Sequence, residues 1–393
     1  MCTNLLVIGA SARALAASAG RLGLEVNAID LFGDRDLRDV CSRVVQVSAD
    51  AYPDDLPRIA AEFPAGPVVY TGGLESHVEV IEELSRTRLL LGNRPSAVRQ
   101  VRDPSFIQEV ARKNGCAYPL TFFTSSKVPR DGTFLRKPTA SIGGLGIVPW
   151  KGLREEAVQG GEYWQQFVSG VPMSASLLVT REGVELLGVC RQLIGLNWCY
   201  AKQFRFCGAI QLSTSVFQQH VLNQLHHFAI DLSQRVNLAG LVGIDFILPR
   251  TPIQPRGQSP VILEVNPRPT ATMELFERRT GRNQAGIHLA SLGFQLPPEA
   301  NLQQNRSKMY WGKAVLFANK SLAVSSSVER HLLKCSIHMQ GWEFGWPMVS
   351  DLPCPGTIIQ PGHPIVSVFG VAESPRRALR MLRLRASEVM QGL

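Results

Sequence analysis

Three polar side chains within five positions, Glu264, Asn266 and Arg268, close an apolar run that begins at Val261. The run is rich in β-branched residues and is stopped by Pro267 and Pro269, which reads as a buried strand entering a rigid turn. Side chains alternate along a strand, so Glu264 and Asn266 share one face while Leu263 and Val265 point into packing. Upstream, residues 241–248 form a second apolar strand whose single carboxylate is Asp245, and residues 249–260 read as the turn that makes the two a hairpin. Two carboxylates and an amide oxygen brought together suit a hard cation such as Mg²⁺, which takes oxygen ligands and leaves positions for waters and phosphates. Arg268 would then be a fixed cation facing the anion that the metal holds. The alternative is a hairpin edge of surface acids with an arginine salt bridge, but like charges gathered on one face call for a counter-ion.

A phosphate needs a second wall, and residues 132–146 offer one. The strand 132–138 carries Lys137, and Ser141, Gly143, Gly144 and Gly146 follow. Glycines let backbone amides approach an anion closely, and the lysine adds a point charge. A plain hairpin with a glycine turn is the other reading; no Lys-Ser or Lys-Thr follows the glycines, so this is not a Walker loop. The strand 164–170, containing Gln165, Gln166, Phe167 and Val168, has the composition of a hinge that offers backbone groups and an aromatic wall to a base.

Around these stretches the chain alternates strands and helices. A strand at 4–11, an alanine-rich helix at 12–22 and a strand at 25–30 open it as a βαβ unit. The glycine fingerprint of dinucleotide sites is missing after Gly9, so this fold is read as structural. Strands at 44–47 and 67–73 and a helix at 74–84 continue the sheet, and the turn Thr71-Gly72-Gly73 lies at a carboxyl strand end, where open α/β sheets bind ligands. The organisation changes near residue 95, with helices at 96–102 and up to 113, broken at Asp103-Pro104. A hairpin at 174–192 and an amphipathic helix at 216–237 precede the two acidic strands; His226 and His227 on that helix face different ways and read as surface or packing residues. A polar, basic stretch at 273–284, a linker at 291–308, a last set of strands from Gly312 and a closing helix from Pro375 complete the chain, with His363 read as part of a turn.

With 393 residues, 45% hydrophobic and 19% charged, the chain is long enough for two or three domains with a large core. No run approaches a membrane span and the start has no signal-peptide pattern, so a cytoplasmic location is expected. Eight cysteines without zinc-type or redox-type spacing read as buried reduced thiols. The net charge of +9 leaves nucleic acid, a membrane surface or small anions as partners. Only Arg376, Arg377, Arg380, Arg383 and Arg385 cluster, on a helix packed through Leu379, Leu382, Ala386 and Val389, so they read as a solvated face and the small anion is preferred.

The order of parts, a βαβ opening, a lysine with a glycine loop, a hinge strand, and an Asp strand paired with Glu264-Val265-Asn266-Pro267-Arg268, resembles the ATP-grasp superfamily of carboxylate–amine ligases. The resemblance implies an α/β fold of an N-terminal Rossmann-like domain (1–95), a small lobe with the glycine loop (96–166), a large lobe with the metal strands (167–300) and a C-terminal segment packing on it (301–393). It implies ATP with Mg²⁺, or Mn²⁺ in its place: Asp245, Glu264 and Asn266 bind the metal, Arg268 steadies the transferring phosphoryl group or the acyl phosphate, and Lys137 holds ATP phosphates. Ser141, Gly143, Gly144 and Gly146 would belong to the mobile loop, and Gln165, Gln166, Phe167 and Val168 would contact adenine. The family's additional phosphate-binding lysine is matched here by Pro104, with Arg102 beside it as a substitute. The stretches 9–13 and 28–37 resemble a narrower branch, predicted ATP-dependent carboligases that occur with the tetrahydromethanopterin and methanofuran one-carbon pathway.

What the resemblance implies is a ligase that forms an acyl phosphate and joins it to an amine, such as that of glutamate, with small-molecule substrates, no nucleic-acid or membrane partner, and a homodimer left open. A bicarbonate-using carboxylase of purine synthesis and a nucleotide-binding sensor are the alternatives.

Overall fold

The computed structural model describes residues 4–151, 161–250, 258–298, 307–338 and 345–393. Cys2, most of the turn between the two acidic strands and residues 299–306 of the expected 291–308 linker lie outside the described residues. Parallel strands in the order Arg43–Gln46, Glu25–Asp30, Asn4–Ile8, Val68–Tyr70 form the first sheet, with the helix Arg13–Gly20 crossing between the central pair. The strands Glu25–Asp30, Asn4–Ile8 and Val68–Tyr70 are almost wholly buried, as expected of a parallel sheet covered on both faces, whereas the edge strand Arg43–Gln46 is half-exposed. The expected helix at 74–84 breaks at His77 into a short turn, Leu74–Ser76, and a helix, Val78–Thr87.

A small antiparallel sheet, in the order Thr121–Phe122, Glu162–Gln166, Phe134–Pro138, Val148–Pro149, carries Lys137. A larger one has eight antiparallel strands, in the order Val261–Asn266, Gly240–Pro249, Gly170–Val179, Val184–Ile194, Phe206–Gln211, Tyr310–Phe317, Pro364–Ala372, Val349–Ser350. The C-terminal strands therefore extend the sheet that holds Asp245 and Glu264. The helices Pro95–Val101 and Pro104–Lys113 bury Val101, Ile107 and Val110 against this sheet and the helix Gln219–Val236. Pro104 has a local reason: it occupies the first turn of its helix, where its missing N–H costs nothing, and the Asp103 carboxylate caps the Ser105 amide.

Three details depart from the sequence reading. Arg385 does not share the solvated face of the C-terminal helix Pro375–Gln391: it is buried and donates to the Phe369 carbonyl at 2.7 Å, whereas Arg376, Arg377, Arg380 and Arg383 are exposed. Of the seven described cysteines, all free thiols, Cys41, Cys335 and Cys354 are only partly buried. The basic stretch after the acidic hairpin forms a helix, Met273–Thr280, and is inserted into the core from Met273 to Arg278. Among the described residues no helix is long and apolar enough to cross a membrane.

Candidate active site

The two acidic strands pair as a hairpin with Asp245 opposite Glu264 and Gly243 opposite Asn266. A bulge after Asp245 changes the expected alternation: Phe246 pairs with Ile262, leaving Leu263 as the extra residue. Ile262 and Val265 enter the core, whereas Leu263, Glu264 and Asn266 all line a cavity, so Leu263 is not the packing residue that strict alternation predicted.

This cavity of ≈ 380 Å³ lies where the three sheets described above meet. Its wall brings together Lys137, Ser141, Gly143 and Gly144 from the small sheet and its loop, Asp245, Glu264, Asn266 and Arg268 from the acidic strands, and Ser11, Thr71 and Gly72 from the carboxyl strand ends of the first sheet. Arg102 and Lys313 also line it, so four cations face two carboxylates among the described residues. The excess favours an anionic ligand.

The acids hold one another in a strained electrostatic state. Asp245 accepts from Gln192 Nε2 at 2.9 Å and from the Asn266 amide at 3.3 Å. Burial, and then the like charge of Glu264, pushes its carboxyl up to about 7. Glu264 lies 3.7 Å from Arg102, which also donates to the Thr139 carbonyl at 3.1 Å. The pair fits a hard cation, whose charge would relieve the repulsion, and Asn266 Oδ1 would complete an oxygen set. That oxygen also accepts from Arg268 at 3.2 Å and keeps a second lone pair. Among the described residues no three His, Cys, Asp or Glu groups gather as a metal cluster, so a cation here would complete its coordination from a ligand and water.

Arg268 is held by a partner that the sequence reading missed. Its guanidinium forms a buried ion pair with Glu75, and its Nε is buried without a hydrogen-bond partner among the described residues. Burial opposes ionisation of Glu75, but the Arg268 charge, its hydrogen bond, a backbone hydrogen bond and the Arg102 charge together keep the carboxyl below its usual range. The Glu75 carboxylate also accepts from the Gly73 amide at 2.7 Å. A Cβ on Gly72 would come within 3.2 Å of the Arg268 guanidinium, so the Thr71-Gly72-Gly73 turn is the surface against which Arg268 rests. The sequence marked the place but not the pairing: Glu75 stands two residues beyond a turn already placed at a ligand-binding strand end, with nothing to tie it to Arg268. Lys313, a lone lysine inside an apolar strand, carried a similar signal.

Lys137 Nζ donates to Gln165 Oε1 at 3.0 Å and lies 5.4 Å from the Tyr163 ring centroid. The glycines after it all have positive φ, between 57° for Gly143 and 80° for Gly144. The loop docks on the large sheet: the Phe206 amide donates to the Gly143 carbonyl at 2.9 Å and Arg205 to the Ile142 carbonyl at 3.3 Å. Gly146 belongs to this loop but does not line the cavity. The expected hinge lies beside the cavity. None of Gln165, Gln166, Phe167 and Val168 lines the cavity; the Gln165 side chain points at Lys137, and the Phe167 ring stacks edge-on against Phe204 at 6.3 Å. The apolar wall comes instead from Tyr163, Ile194, Phe204 and Phe206.

Residues 105–272 match a family model described as an ATP-grasp domain. Comparison with curated protein sequences gives no match. Among solved structures, an L-amino acid ligase from Bacillus licheniformis is 16% identical, with a TM-score of 0.66 over 98% of this chain and 97% of that one. A carboxyaminoimidazole ribonucleotide synthase from Aspergillus clavatus complexed with ATP is 14% identical, with a TM-score of 0.66 over 100% of both chains. The biotin carboxylase domain of Hydrogenobacter thermophilus 2-oxoglutarate carboxylase, in complex with MgADP, ADP and bicarbonate, is 13% identical, with a TM-score of 0.64 over 95% of this chain and 86% of that one. At such identities the likeness establishes the fold.

Proposed function

We propose that this chain, an ATP-grasp fold by its architecture and its domain match, is an ATP-dependent carboxylate–amine ligase. The observation that carries the reading is the single cavity wall on which Lys137 and the glycine loop face Asp245, Glu264, Asn266 and Arg268. It offers donors for a polyphosphate and oxygen ligands for its cation, with one buried arginine between them and the Thr71-Gly72 turn. No described residue in this arrangement has to act as a covalent nucleophile.

Bound Mg²⁺ would neutralise charge on the phosphate oxygens, with Asp245, Glu264 and Asn266 as its ligands. Lys137 binds phosphate oxygens, and Arg102, reaching the cavity from the helix end before Pro104, supplies a further cation there. Arg268 faces the transferring group with its unpartnered Nε, while Glu75 fixes the guanidinium plane. The substrate carboxylate takes the phosphoryl group to give an acyl phosphate, and the amine then displaces phosphate, losing its proton as the new C–N bond forms. The acid and the amine would approach from the side of Ser11, Thr71 and Gly72, where the first sheet ends.

The choice of glutamate as the amine and of tetrahydromethanopterin or methanofuran biosynthesis as the setting rests on the likeness of residues 9–13 and 28–37 to that branch. The carboxylase reading draws on the neighbours named for bicarbonate and carboxyaminoimidazole ribonucleotide. ADP release from Mg-ATP, measured across amino acids crossed with pterin, furan and benzoate-type acids and with bicarbonate, tests these readings together. Release that requires both an acid and an amine supports the ligase; release with bicarbonate and one amine replaces it by the carboxylase. Binding of Mg-ATP without any release sinks both and leaves a sensor.

A further inference from the structure

We infer that a second cavity, behind the first, is a binding site for a small anion, a carboxylate or a phosphate, held by Arg278. This cavity of ≈ 170 Å³ is lined by three arginines, Arg13, Arg21 and Arg278, by Asp36, Glu274 and Glu277, and by Trp346. The inference is independent of what the first cavity binds.

Equal numbers of arginines and carboxylates suggest neutrality, but the hydrogen bonds are unequally shared. Glu274 is taken by both Arg13 nitrogens and by Lys313 at 2.7 Å. Glu277 accepts from Arg21 at 2.6 Å, from Ser18 at 2.5 Å and from the Gln284 amide at 3.0 Å. Asp36 accepts from the Asp351 and Leu352 amides, each at 2.9 Å. Each carboxylate is therefore committed to other donors. Among the described residues Arg278 has only the Pro347 carbonyl at 2.8 Å and a long contact of 3.9 Å to Glu274, and its buried Nε finds no hydrogen-bond partner there. Its side chain is 2% exposed, so water does not serve it freely.

Aromatic rings do not supply what is missing. The guanidinium carbon lies 3.5 Å from the Phe369 ring centroid and 5.3 Å from those of Trp311 and Trp346. Rings stacked on a guanidinium compensate its face, whereas the N–H donors lie in its plane and need acceptors at the edge. Burial, opposed by the charges of Glu274 and Glu277 and reinforced by those of Arg13 and Arg21, lowers the Arg278 pKa to about 9. An anion in the cavity would satisfy the free edge and reverse that strain.

Two measurements test the site. Crystals of the wild-type chain soaked in sodium bromide should show an anomalous peak within hydrogen-bonding reach of Arg278 Nε. Bromide bound elsewhere but absent there overturns the inference. In solution, thermal unfolding of the wild type and of Arg278→Lys is titrated with inorganic phosphate and, separately, with acetate. Lysine keeps the charge but loses the in-plane fork, so the variant's apparent affinity should drop roughly ten-fold for the preferred anion, as expected for one charge-assisted hydrogen bond. Anion binding in the first cavity is common to both proteins and cancels in the comparison. A difference with acetate alone assigns a carboxylate and one with phosphate alone a phosphate; identical titrations with both leave Arg278 a stacked structural residue and end the proposal.

Discussion

At the scale of single residues, the site is governed by how burial treats charge. Arg268 Nη2 donates to both Glu75 and Asn266 and Nη1 to the Pro269 carbonyl, which leaves Nε over among the described residues. Under the ligase reading that donor stabilises charge only as the phosphoryl group moves, so Arg268→Ala should lower kcat roughly 100-fold, as for other single electrostatic stabilisers, with a much smaller effect on ATP affinity. Steady-state kinetics check this, and near-normal turnover removes Arg268 from the mechanism. Asp245 makes a second prediction. With its carboxyl raised to about 7, a cation must displace a proton below that pH, so apparent Mg²⁺ affinity should fall by up to roughly ten-fold per pH unit on the acid side and level off above it. Calorimetric titration between mildly acidic and mildly basic pH reads the slope, and Asp245→Asn should abolish it. The sign for stability is opposite. The folded chain binds this proton more tightly than the unfolded chain, whose carboxyl lies near 3.8, so the cation-free protein loses stability as pH rises toward about 7.

Elements set how these side chains meet. The bulge that turns Leu263 out of the core also sets Glu264 beside Asp245, and no periodicity argument could have found it, because a bulge is a property of the pairing of two strands. The glycine loop is similar. Gly144 has φ of 80°, and a Cβ there would stand 2.1 Å from the Phe204 carbonyl oxygen. Gly144→Ala should therefore undock the loop and raise KM for ATP by about ten-fold, the order of the left-handed backbone penalty, while the melting temperature moves little because the loop is peripheral to the cores. Unchanged KM would mean that the loop does not close on the nucleotide.

Across the whole molecule, the first sheet is tied to the large one by buried charge as well as by apolar contact. Arg13 from the first helix, Glu274 after the acidic strands, Lys313 from a C-terminal strand and Asp351 near the chain end form one network. Burial alone would oppose ionisation of Glu274, but Arg13 and then Lys313 hold its carboxyl well below the usual range. Glu274→Ala leaves two buried cations without their acceptor and should destabilise the fold by roughly 3–5 kcal/mol, measured by denaturant unfolding. A loss within the range of surface substitutions would show that water replaces the carboxylate and that the network is not what joins the sheets.

The hairpin with Asp245 opposite Glu264, the lysine before the glycine loop and the parallel opening sheet were legible in the sequence, because each depends on local composition, strand periodicity and turn residues. The partner of Arg268 was not: Glu75 lies 193 positions away, and a contact of that separation is set by how two sheets dock. The same holds for Gln165, whose side chain turns to Lys137 rather than to the cavity, and for Arg278, whose basic stretch resembles a surface until the C-terminal strands bury it. Sequence by itself determined which two strands pair their carboxylates and which glycine loop follows the lysine. Only the tertiary structure decided which charges are neutralised and which are left facing a cavity, since burial and distance, not residue type, set the cost of a charge.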